Sequence, residues 1–517
     1  MANKTLFSSA RGKLPPAANA WNSEGSIAYA LSPKHRLAQY AATGCLSNTF
    51  YAGATEQLAT VLELASEIDA EYLAKCAIHA RESGAMKDMP ALLLVALSMK
   101  STVLFKKAFP RVVDNGRMLR TFVQILRSGA VGRKSLGSVP KAMVQKWLNE
   151  ASERKLIEAS IGAKPSLKDI VRMVHPKPAD KMREAFNGWL LGKPHDFALL
   201  PKALQDIVMY EFDPSSPLPD VPFQMLTALP LERDAWATLA ERGGWHMVRM
   251  NLNTFARHGV FGMRGMKERI ADKLRDRELI RKARVFPYQL MTAYHAAGAA
   301  VPAEVKDALQ DAMEIAIDNV PSLGDRVVVC PDVSGSMKSA VTGTRYGATS
   351  VVRCIDVAAL MTAAIVRANR AATVLPFEND VCNVHLNVRD SVMTNAAKLA
   401  AIGGGGTRCS APLQWLEDRN QGADLVILVS DNQSWLDNRD SGATETQRRW
   451  EVFRARNPQA KLVCINLQPY ATTQAVERAD VLNVGGFSDE VFEIVAGFAK
   501  GEIGTGHWTE RVEAIEL

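Results

Sequence analysis

Residues 326–337, RVVVCPDVSGSM, decide the fold of the C-terminal part of this 517-residue chain. The run of consecutive apolar residues at its start predicts a strand that is covered on both faces, as strands of a parallel sheet are. The loop that follows carries Asp332, Ser334 and Ser336. Since open α/β sheets bind ligands at the carboxyl ends of their strands, this loop is a candidate site. One carboxylate and two hydroxyls are hard oxygen donors, which suit Mg²⁺, Mn²⁺ or Ca²⁺ rather than Zn²⁺ or Cu²⁺.

Strand and helix patterns alternate from about residue 320 onwards, which predicts a doubly wound parallel α/β domain over residues 321–517. Two further loops of this domain carry oxygen-bearing side chains. Thr407 follows four glycines, which let the backbone approach a ligand closely, and Asp431 follows the apolar run LVILVS. Loops at the carboxyl ends of parallel strands meet at one edge of the sheet, so we expect these residues to converge. The predicted metal ligands are Asp332, Ser334, Ser336, Thr407 and Asp431.

The composition of the whole chain indicates a globular protein of two or three domains. Hydrophobic residues make up 47% and charged residues 23% of the sequence, as in proteins that fold in water. No run of about 18 apolar residues is present, so no membrane span is predicted. The first residues lack the apolar core of a signal peptide, which favours a cytoplasmic protein. The seven cysteines form no CxxC pair and are typical of buried residues in a reducing compartment.

Charge is distributed unevenly along the chain. Residues 321–517 carry a net charge of −4 and residues 1–320 a net charge of +11, which give the +7 of the whole chain. A basic N-terminal part suggests a polyanionic partner such as nucleic acid. An ordinary solvated surface without such a partner explains the same composition equally well.

Residues 26–320 are predicted to be mainly helical, after an extended N-terminal arm at residues 1–25. Amphipathic helical periods recur there, and prolines and glycines separate them. This density of helices suggests paired helices stacked as a HEAT-type solenoid, although no clean sequence repeat is present.

Two basic stretches of the helical part are candidates for binding phosphate groups. In residues 164–178, KPSLKDIVRMVHPKP, the spacing puts Lys168, Arg172 and His175 on one helix face, and Lys177 follows a proline. An ordinary solvated helix face explains this spacing without any ligand. Residues 117–147 contain GAVGRKS, which lacks the spacing and the preceding strand of a P-loop, so nucleotide hydrolysis is excluded. The basic residues of this second stretch are Arg117, Arg120, Arg127, Arg133, Lys134, Lys141 and Lys146.

Three motifs of the C-terminal part together resemble a known metal site. DVSGSM at residues 332–337, GGGGT at residues 403–407 and VSDN at residues 429–432 are similar to the metal-ion-dependent adhesion site of a von Willebrand factor A domain. The helical part adds SLKDIVRMVHPKP at residues 166–178 and ARVFPYQLMTAY at residues 283–294. An A domain after such a helical part resembles the TROVE family, which comprises the Ro autoantigen and its bacterial orthologues.

The resemblance implies a monomeric ring, a solenoid of HEAT-like helices whose ends are bridged by the A domain. It implies that Y RNA binds an outer basic surface that includes Lys168, Arg172 and His175. Arg133, Lys134 and Lys141 lie in a segment that looks similar to another basic part of the family ring. Single-stranded ends of misfolded noncoding RNAs would enter a central hole, and the A domain would hold a divalent metal ion. No catalytic constellation is visible, so any degradation would need a partner nuclease, and the resemblance implies that this partner is a 3′-to-5′ exonuclease. On this interpretation the protein is an RNA quality-control scaffold and not an enzyme.

Two other functions stay open from the sequence. A metal-dependent adhesion module would capture an acidic residue of a protein partner, and its RNA binding would be incidental. A subunit of an assembly such as a metal chelatase would work beside an ATPase. The absent P-loop and the basic helical part count against the chelatase, whereas adhesion and RNA binding can coexist.

Overall fold

The chain forms two compact units in the computed structural model. The α/β unit comprises residues 1–39, 47–53 and 317–508, and the helical unit comprises residues 40–46, 54–316 and 509–517. Residues 342–351 and the first 14 residues of the predicted N-terminal arm lie outside the described residues. The structure describes residues 15–43, 46, 48–49, 51–84, 86–283, 285, 287–317, 320–341, 352–437, 441–487, 489–502 and 507–517.

Within these residues the secondary structure consists of strands in the α/β unit and helices in both units. The strands are β1 (Ala20–Trp21), β2 (Ile27–Ala30), β3 (Val327–Pro331), β4 (Thr373–Val374), β5 (Leu425–Ser430), β6 (Lys461–Asn466), β7 (Thr472–Thr473) and β8 (Val481–Gly485). The first helices are α1 (Pro33–Thr43), α2 (Ala54–Glu67), α3 (Ala70–Glu82), α4 (Asp88–Lys100), α5 (Thr102–Val112), α6 (Gly116–Ser128), α7 (Ser138–Glu150), α8 (Glu153–Ser160), α9 (Leu167–Val174), α10 (Lys181–Leu191), α11 (Lys202–Phe212) and α12 (Phe223–Leu226). The later ones are α13 (Arg233–Arg242), α14 (Trp245–Met250), α15 (Leu252–Arg257), α16 (Met266–Arg275), α17 (Arg277–Ala283), α18 (Pro287–Ala296), α19 (Ala303–Ile317), α20 (Cys354–Ala368), α21 (Val392–Ala400), α22 (Ala411–Asp418), α23 (Glu445–Arg456), α24 (Asp489–Lys500) and α25 (His507–Glu513).

Five parallel strands form the central sheet of the α/β unit, in the order β4-β3-β5-β6-β8. Every residue of β3 and β5 is buried, as a sheet covered by helices requires. On one side, Cys330 of β3 shares an apolar cluster with Leu413 of α22 and Trp450 of α23. The helix α20 also packs against β3. The predicted parallel α/β fold is confirmed.

A small antiparallel sheet joins residues near the N-terminus to the α/β unit. The strand β2 lies between β1 and β7, with Ala20 opposite Ala28 and Tyr29 opposite Thr473. The described part of the predicted N-terminal arm therefore contributes β1, the first strand of a hairpin whose second strand, β2, lies in the part predicted to be helical. Strands β1 and β7 have two residues each, which is too short for a recognisable alternation in the sequence.

The helical unit consists of successive helices that pack on their neighbours. The helix α3 packs against α4 and α5, α4 against α6, and α6 against α8, so each contacts the next helices along the chain. Side chains close several amino ends: Asp69, Ser101 and Asn115 accept hydrogen bonds from backbone N–H groups of α3, α5 and α6. A helical part followed by a von Willebrand factor A-type sheet is thus the observed architecture. No helix in the described ranges combines the length and apolarity needed to cross a membrane.

Candidate metal centre and basic helix face

Asp332 follows the last residue of β3 at the carboxyl edge of the central sheet. Its N–H donates to the Val429 carbonyl of β5 at 2.9 Å, which holds the loop against the neighbouring strand. Its carboxylate accepts hydrogen bonds from the Ser334 N–H at 2.9 Å and from the Ser430 hydroxyl at 2.5 Å. The hydroxyls of Ser334 and Ser336 lie 3.4 Å apart. The loop thus keeps its carboxylate and both hydroxyls close together.

Asp431 reaches the same place from β5. Because β3 and β5 are paired in parallel up to Pro331 and Val429, both aspartates follow strand ends that lie side by side. Asp332 is 0% and Asp431 2% exposed. The charge of Asp332 raises the pKa of Asp431 and the Ser336 side chain lowers it, so these groups lie close together. The structure therefore brings four of the five predicted ligands to one edge of the sheet.

The glycine loop at residues 403–407 packs its backbone on the Asp332 loop. The N–H of Gly404 donates to the Val333 carbonyl at 3.0 Å. Gly403 has a φ of +80°, and a Cβ there would lie 2.1 Å from the Val333 carbonyl oxygen. Only glycine accepts both this conformation and this approach.

Thr407, the last residue of the glycine loop, is 2% exposed and attached to the loop that contains Asp431. Its carbonyl accepts hydrogen bonds from the Trp435 N–H at 3.1 Å and from the Ser434 hydroxyl at 3.3 Å. All three predicted loops are therefore adjacent. No cluster of three or more His, Cys, Asp or Glu that could hold a metal occurs among the described residues. Any metal at this site would depend on two carboxylates and three hydroxyls.

Electrostatics at the two aspartates favour a bound cation. Burial, followed by the nearby charge of Asp332, raises the pKa of Asp431 to about 7. Burial also raises the pKa of Asp332, although hydrogen bonds from Ser334 and Ser430 lower it. Two buried carboxylates side by side are costly as anions, and a divalent cation between them would relieve that cost. The donor set is hard oxygen throughout and fits Mg²⁺, Mn²⁺ or Ca²⁺.

Two residues that support the site were missed in the sequence. Ser430 orients the Asp332 carboxylate, and Glu378 accepts a hydrogen bond from the Gly405 N–H at 2.7 Å, which anchors the glycine loop. The charge of Glu378 also raises the pKa of Asp332. Their positions in the sequence could have indicated that they lie near the site, because Ser430 ends the apolar run LVILVS and Glu378 follows the run ATVLPF.

The helix α9 carries the first predicted basic face. Ser166 and Asp169 form a reciprocal capping box at its amino end, and its apolar side is buried through residues such as Ile170 and Val174. Arg172 is exposed and Lys168 is half-buried, four residues apart on the helix. This pair of cations lies on one face, as the spacing predicts.

His175 lies just past α9 rather than on its face. It is the C-cap residue, with a left-handed φ of 48°, and its side chain is exposed. The next residue is Pro176, which disfavours a helical conformation at the residue before it. His175 therefore does not share the helix face of Lys168 and Arg172 as its spacing predicted, although it lies next to the end of the helix. Lys177 is also exposed, and its carbonyl accepts a hydrogen bond from Asn149 at 2.9 Å.

Arg133, Lys134 and Lys141 belong to the loop after α6 and the first turn of α7, outside α9. The Arg133 guanidinium donates to the Ser135 carbonyl at 2.8 Å and to the Leu136 carbonyl. Several of its donors are therefore engaged within its own loop. Lys134 is exposed and Lys141 half-buried.

Comparisons with known proteins match both parts of the chain. A family described as the Ro60 vWA domain matches residues 326–499. A curated protein of Deinococcus radiodurans, RNA-binding protein RO60, is 25% identical, and the alignment covers 93% of this chain and 95% of that protein. The protein of the same name from Caenorhabditis elegans is 27% identical over 46% of this chain and 37% of its own length.

A solved structure has the same fold over most of the chain. The crystal structure of the Deinococcus radiodurans RO (RSR) protein aligns with a TM-score of 0.63 and 20% identity, covering 91% of this chain and 100% of that chain. The predicted resemblance to the Ro family is therefore confirmed: the chain resembles Ro proteins over nearly its whole length, and residues 326–499 match the von Willebrand factor A domain of Ro60.

Proposed function

We propose that this protein binds RNA as a Ro-type scaffold. The observation that carries the proposal is the similarity to a curated RNA-binding RO60 protein across 93% of the chain. The net charge of +11 on residues 1–320 agrees with a polyanionic partner for the helical part. The finer form of the proposal is that Y RNA binds an outer basic surface, and that single-stranded ends of misfolded noncoding RNAs enter a central hole.

The α9 face is the part of the proposed RNA surface with the best physical support. The helix is closed by its capping box and fixed by its buried apolar side, so its cations are presented on a rigid element. Asp169 lies between Lys168 and Arg172 in the sequence, and its carboxylate accepts hydrogen bonds from Ser166 in the capping box. These hydrogen bonds lower the pKa of Asp169. Lysine and arginine bind phosphate and release counterions, and the arginine fork can hold a phosphate with two hydrogen bonds.

The A domain has a separate role in this proposal. Asp332, Ser334, Ser336, Thr407 and Asp431 would hold one divalent cation, which would supply a fixed positive charge for binding an acidic group. We assign no catalytic residues, and any RNA degradation belongs to a partner 3′-to-5′ exonuclease. A cytoplasmic, monomeric protein remains our expectation.

A second candidate is a metal-dependent adhesion module in which RNA binding is incidental. The adjacent buried aspartates favour it, because such a site can serve a protein partner whether or not RNA is bound. Sequencing the RNAs that co-purify with the full chain separates the two. A recurrent structured small RNA is expected for the scaffold, whereas random fragments alone would contradict it and favour adhesion.

A further inference from the structure

A groove in the helical unit lies between α2, α4 and the loop that follows α6. Its volume is about 540 Å³, which falls within the range of about 300 to 1,000 Å³ that is common for ligand sites. Aliphatic side chains line it, among them Leu62 of α2, Ala96 and Met99 of α4, and Val131 of the loop. Met99 is 51% exposed, so a ligand can reach this apolar lining from solvent. The lining residues belong to neither the α9 face nor the metal site.

Two cationic head groups are fixed at the walls of the groove. The Lys100 ammonium donates to the carbonyls of Ala65 at 3.1 Å and Ser66 at 2.8 Å, and all three of these residues line the groove. The Arg133 guanidinium lies 3.3 Å from the sulfur of Met99, another lining residue. Positive charge therefore borders an apolar surface.

Arg133 keeps donors that an acidic ligand can use. A guanidinium has five N–H groups, and three of those on Arg133 contact the Met99 sulfur and two carbonyls of its own loop. The other two can donate to a carboxylate, which is the partner that an arginine fork binds best. The loop is also closed by the Gly132 N–H, which donates to the Gly129 carbonyl at 3.0 Å. This wall is thus formed before a ligand binds, which lowers the entropic cost of binding.

Charges near the groove are arranged asymmetrically. Glu63 and Glu67 are exposed on α2, the helix that forms one wall. Arg127 and Lys134 are exposed beside the loop that forms another wall, and the Arg127 guanidinium donates to the Lys134 carbonyl at 2.9 Å. A partner with acidic side chains would therefore be attracted to the loop side and repelled from the α2 side.

The lining suits an aliphatic side chain better than a nucleobase. Bases of single-stranded nucleic acid are commonly held by stacking on aromatic rings, and no aromatic residue is among those that line the groove. Amphipathic helices, in contrast, bind apolar grooves through side chains at positions i, i+3, i+4 and i+7. Methionine is common on such surfaces because its flexible side chain adapts to partners of different shape.

We propose that this groove binds an amphipathic helix of a protein partner. Aliphatic side chains of that helix contact Leu62, Ala96 and Met99, and an acidic residue beside them pairs with Arg133. The proposal goes beyond RNA binding and does not depend on the metal site. It gives Arg133 a ligand that fits its surroundings, since its guanidinium lies against the apolar lining.

The test titrates the full chain into a fluorescein-labelled helical peptide of about 15 residues, with leucines on one face and glutamates beside them. One comparison peptide has lysine in place of every glutamate, and another has serine in place of every leucine. Fluorescence anisotropy measures the affinities. The variants are Met99→Glu, which puts a carboxylate beside Arg133, and Met99→Leu, which keeps the position apolar. Val103→Glu is the control, because Val103 is an apolar residue of α5 that is 65% exposed and does not line the groove.

We expect the leucine–glutamate peptide to bind the wild type at least about tenfold more tightly than either comparison peptide. Met99→Glu should weaken its binding by about tenfold or more, whereas Met99→Leu and Val103→Glu should change it by less than about twofold. The three peptides on the wild type test the groove even if Met99→Glu fails to fold.

Absence of peptide binding would overturn the proposal, and so would equal affinity for the glutamate and lysine peptides. An equal loss in Val103→Glu and Met99→Glu would show that the peptide binds outside the groove. A single-stranded oligouridylate that displaces the peptide, and whose own affinity falls in Met99→Glu but not in Val103→Glu, would make the groove an RNA site and would also overturn it.

Discussion

Ser430 donates a hydrogen bond from its hydroxyl to the Asp332 carboxylate at 2.5 Å, although the two residues are 98 positions apart in the chain. The bond links the ends of two neighbouring parallel strands and fixes the orientation of a predicted metal ligand. Losing a group that orients a metal ligand in this way typically lowers metal affinity by about tenfold to 100-fold. The first prediction follows from this contact.

Ser430→Ala should weaken Mn²⁺ binding by about tenfold to 100-fold, because the Asp332 carboxylate loses the donor that orients it. Asp332→Ala should abolish detectable binding. Isothermal titration of the metal into the full chain measures both. Asp325→Asn, which removes a carboxylate at the other edge of the sheet, serves as the control. Equal affinity in wild type and Asp332→Ala would show that the metal, if bound, lies elsewhere.

The stability of the metal-free protein should fall as pH rises from about 4 to about 7. The pKa of Asp431 is raised from its ordinary value of 3.8 to about 7 in the folded chain. Between those values the folded state binds more protons than the unfolded state, so the free energy of unfolding decreases with pH. Thermal melts in EDTA from pH 4 to pH 8 measure this slope.

Asp431→Asn should flatten that part of the pH profile, since the amide carries no proton to lose. Saturating Mn²⁺ should also remove the loss of stability near pH 7, because the cation favours the charged carboxylate. A slope of the same size in the variant would assign the effect to other groups.

Gly403→Ala should destabilise the α/β unit by about 3 kcal/mol or more, because strain at positive φ is combined with a steric clash. The clash is between the new Cβ and the Val333 carbonyl. Gly442→Ala is the matched control: Gly442 has a φ of +92°, but nothing lies within 4 Å of its Cβ position. The control should cost only the conformational strain, about 1 kcal/mol. Urea unfolding curves compare the two, and equal costs would contradict the close approach.

Lys168→Ala combined with Arg172→Ala should weaken binding of a structured small RNA by about tenfold to 100-fold at moderate salt. Removing two phosphate contacts should also reduce the slope of log affinity against log salt by about 1 to 2. The control is Lys106→Ala with Lys107→Ala, which removes the same charge from exposed positions on α5. Filter binding across a salt titration provides both readouts. A control pair with the same effect would mean that only net charge matters.

Arg133→Ala should reduce the stability of the helical unit more than it reduces RNA affinity. Its guanidinium donates to carbonyls of its own loop and lies 3.3 Å from the Met99 sulfur, so the loop loses several contacts at once. Comparing thermal melts with the RNA titration tests this, and Lys134→Ala is the control for loss of charge in the same loop. Loss of RNA affinity without loss of stability would restore Arg133 as an RNA contact.

Much of the metal site was predictable because its signal is local. A run of apolar residues that ends in Asp332 predicts a buried parallel strand and a loop at its carboxyl end. The run ending at Asp431 repeats this pattern, and parallel strands bring such loops to one edge. The helices of the N-terminal part were equally predictable from their amphipathic periods and from the prolines and glycines that separate them. Single residues such as His175 were misplaced where a proline ends the helix.

The sequence by itself thus determined the fold class, the residue types at the metal site and the basic character of the helical part. The tertiary structure decided what surrounds those residues. Asn22 reaches Ser434 across 412 positions only because a short hairpin joins an antiparallel sheet with β7. Pairing of short strands over such distances depends on packing of the whole unit, which leaves no periodic signal in the chain.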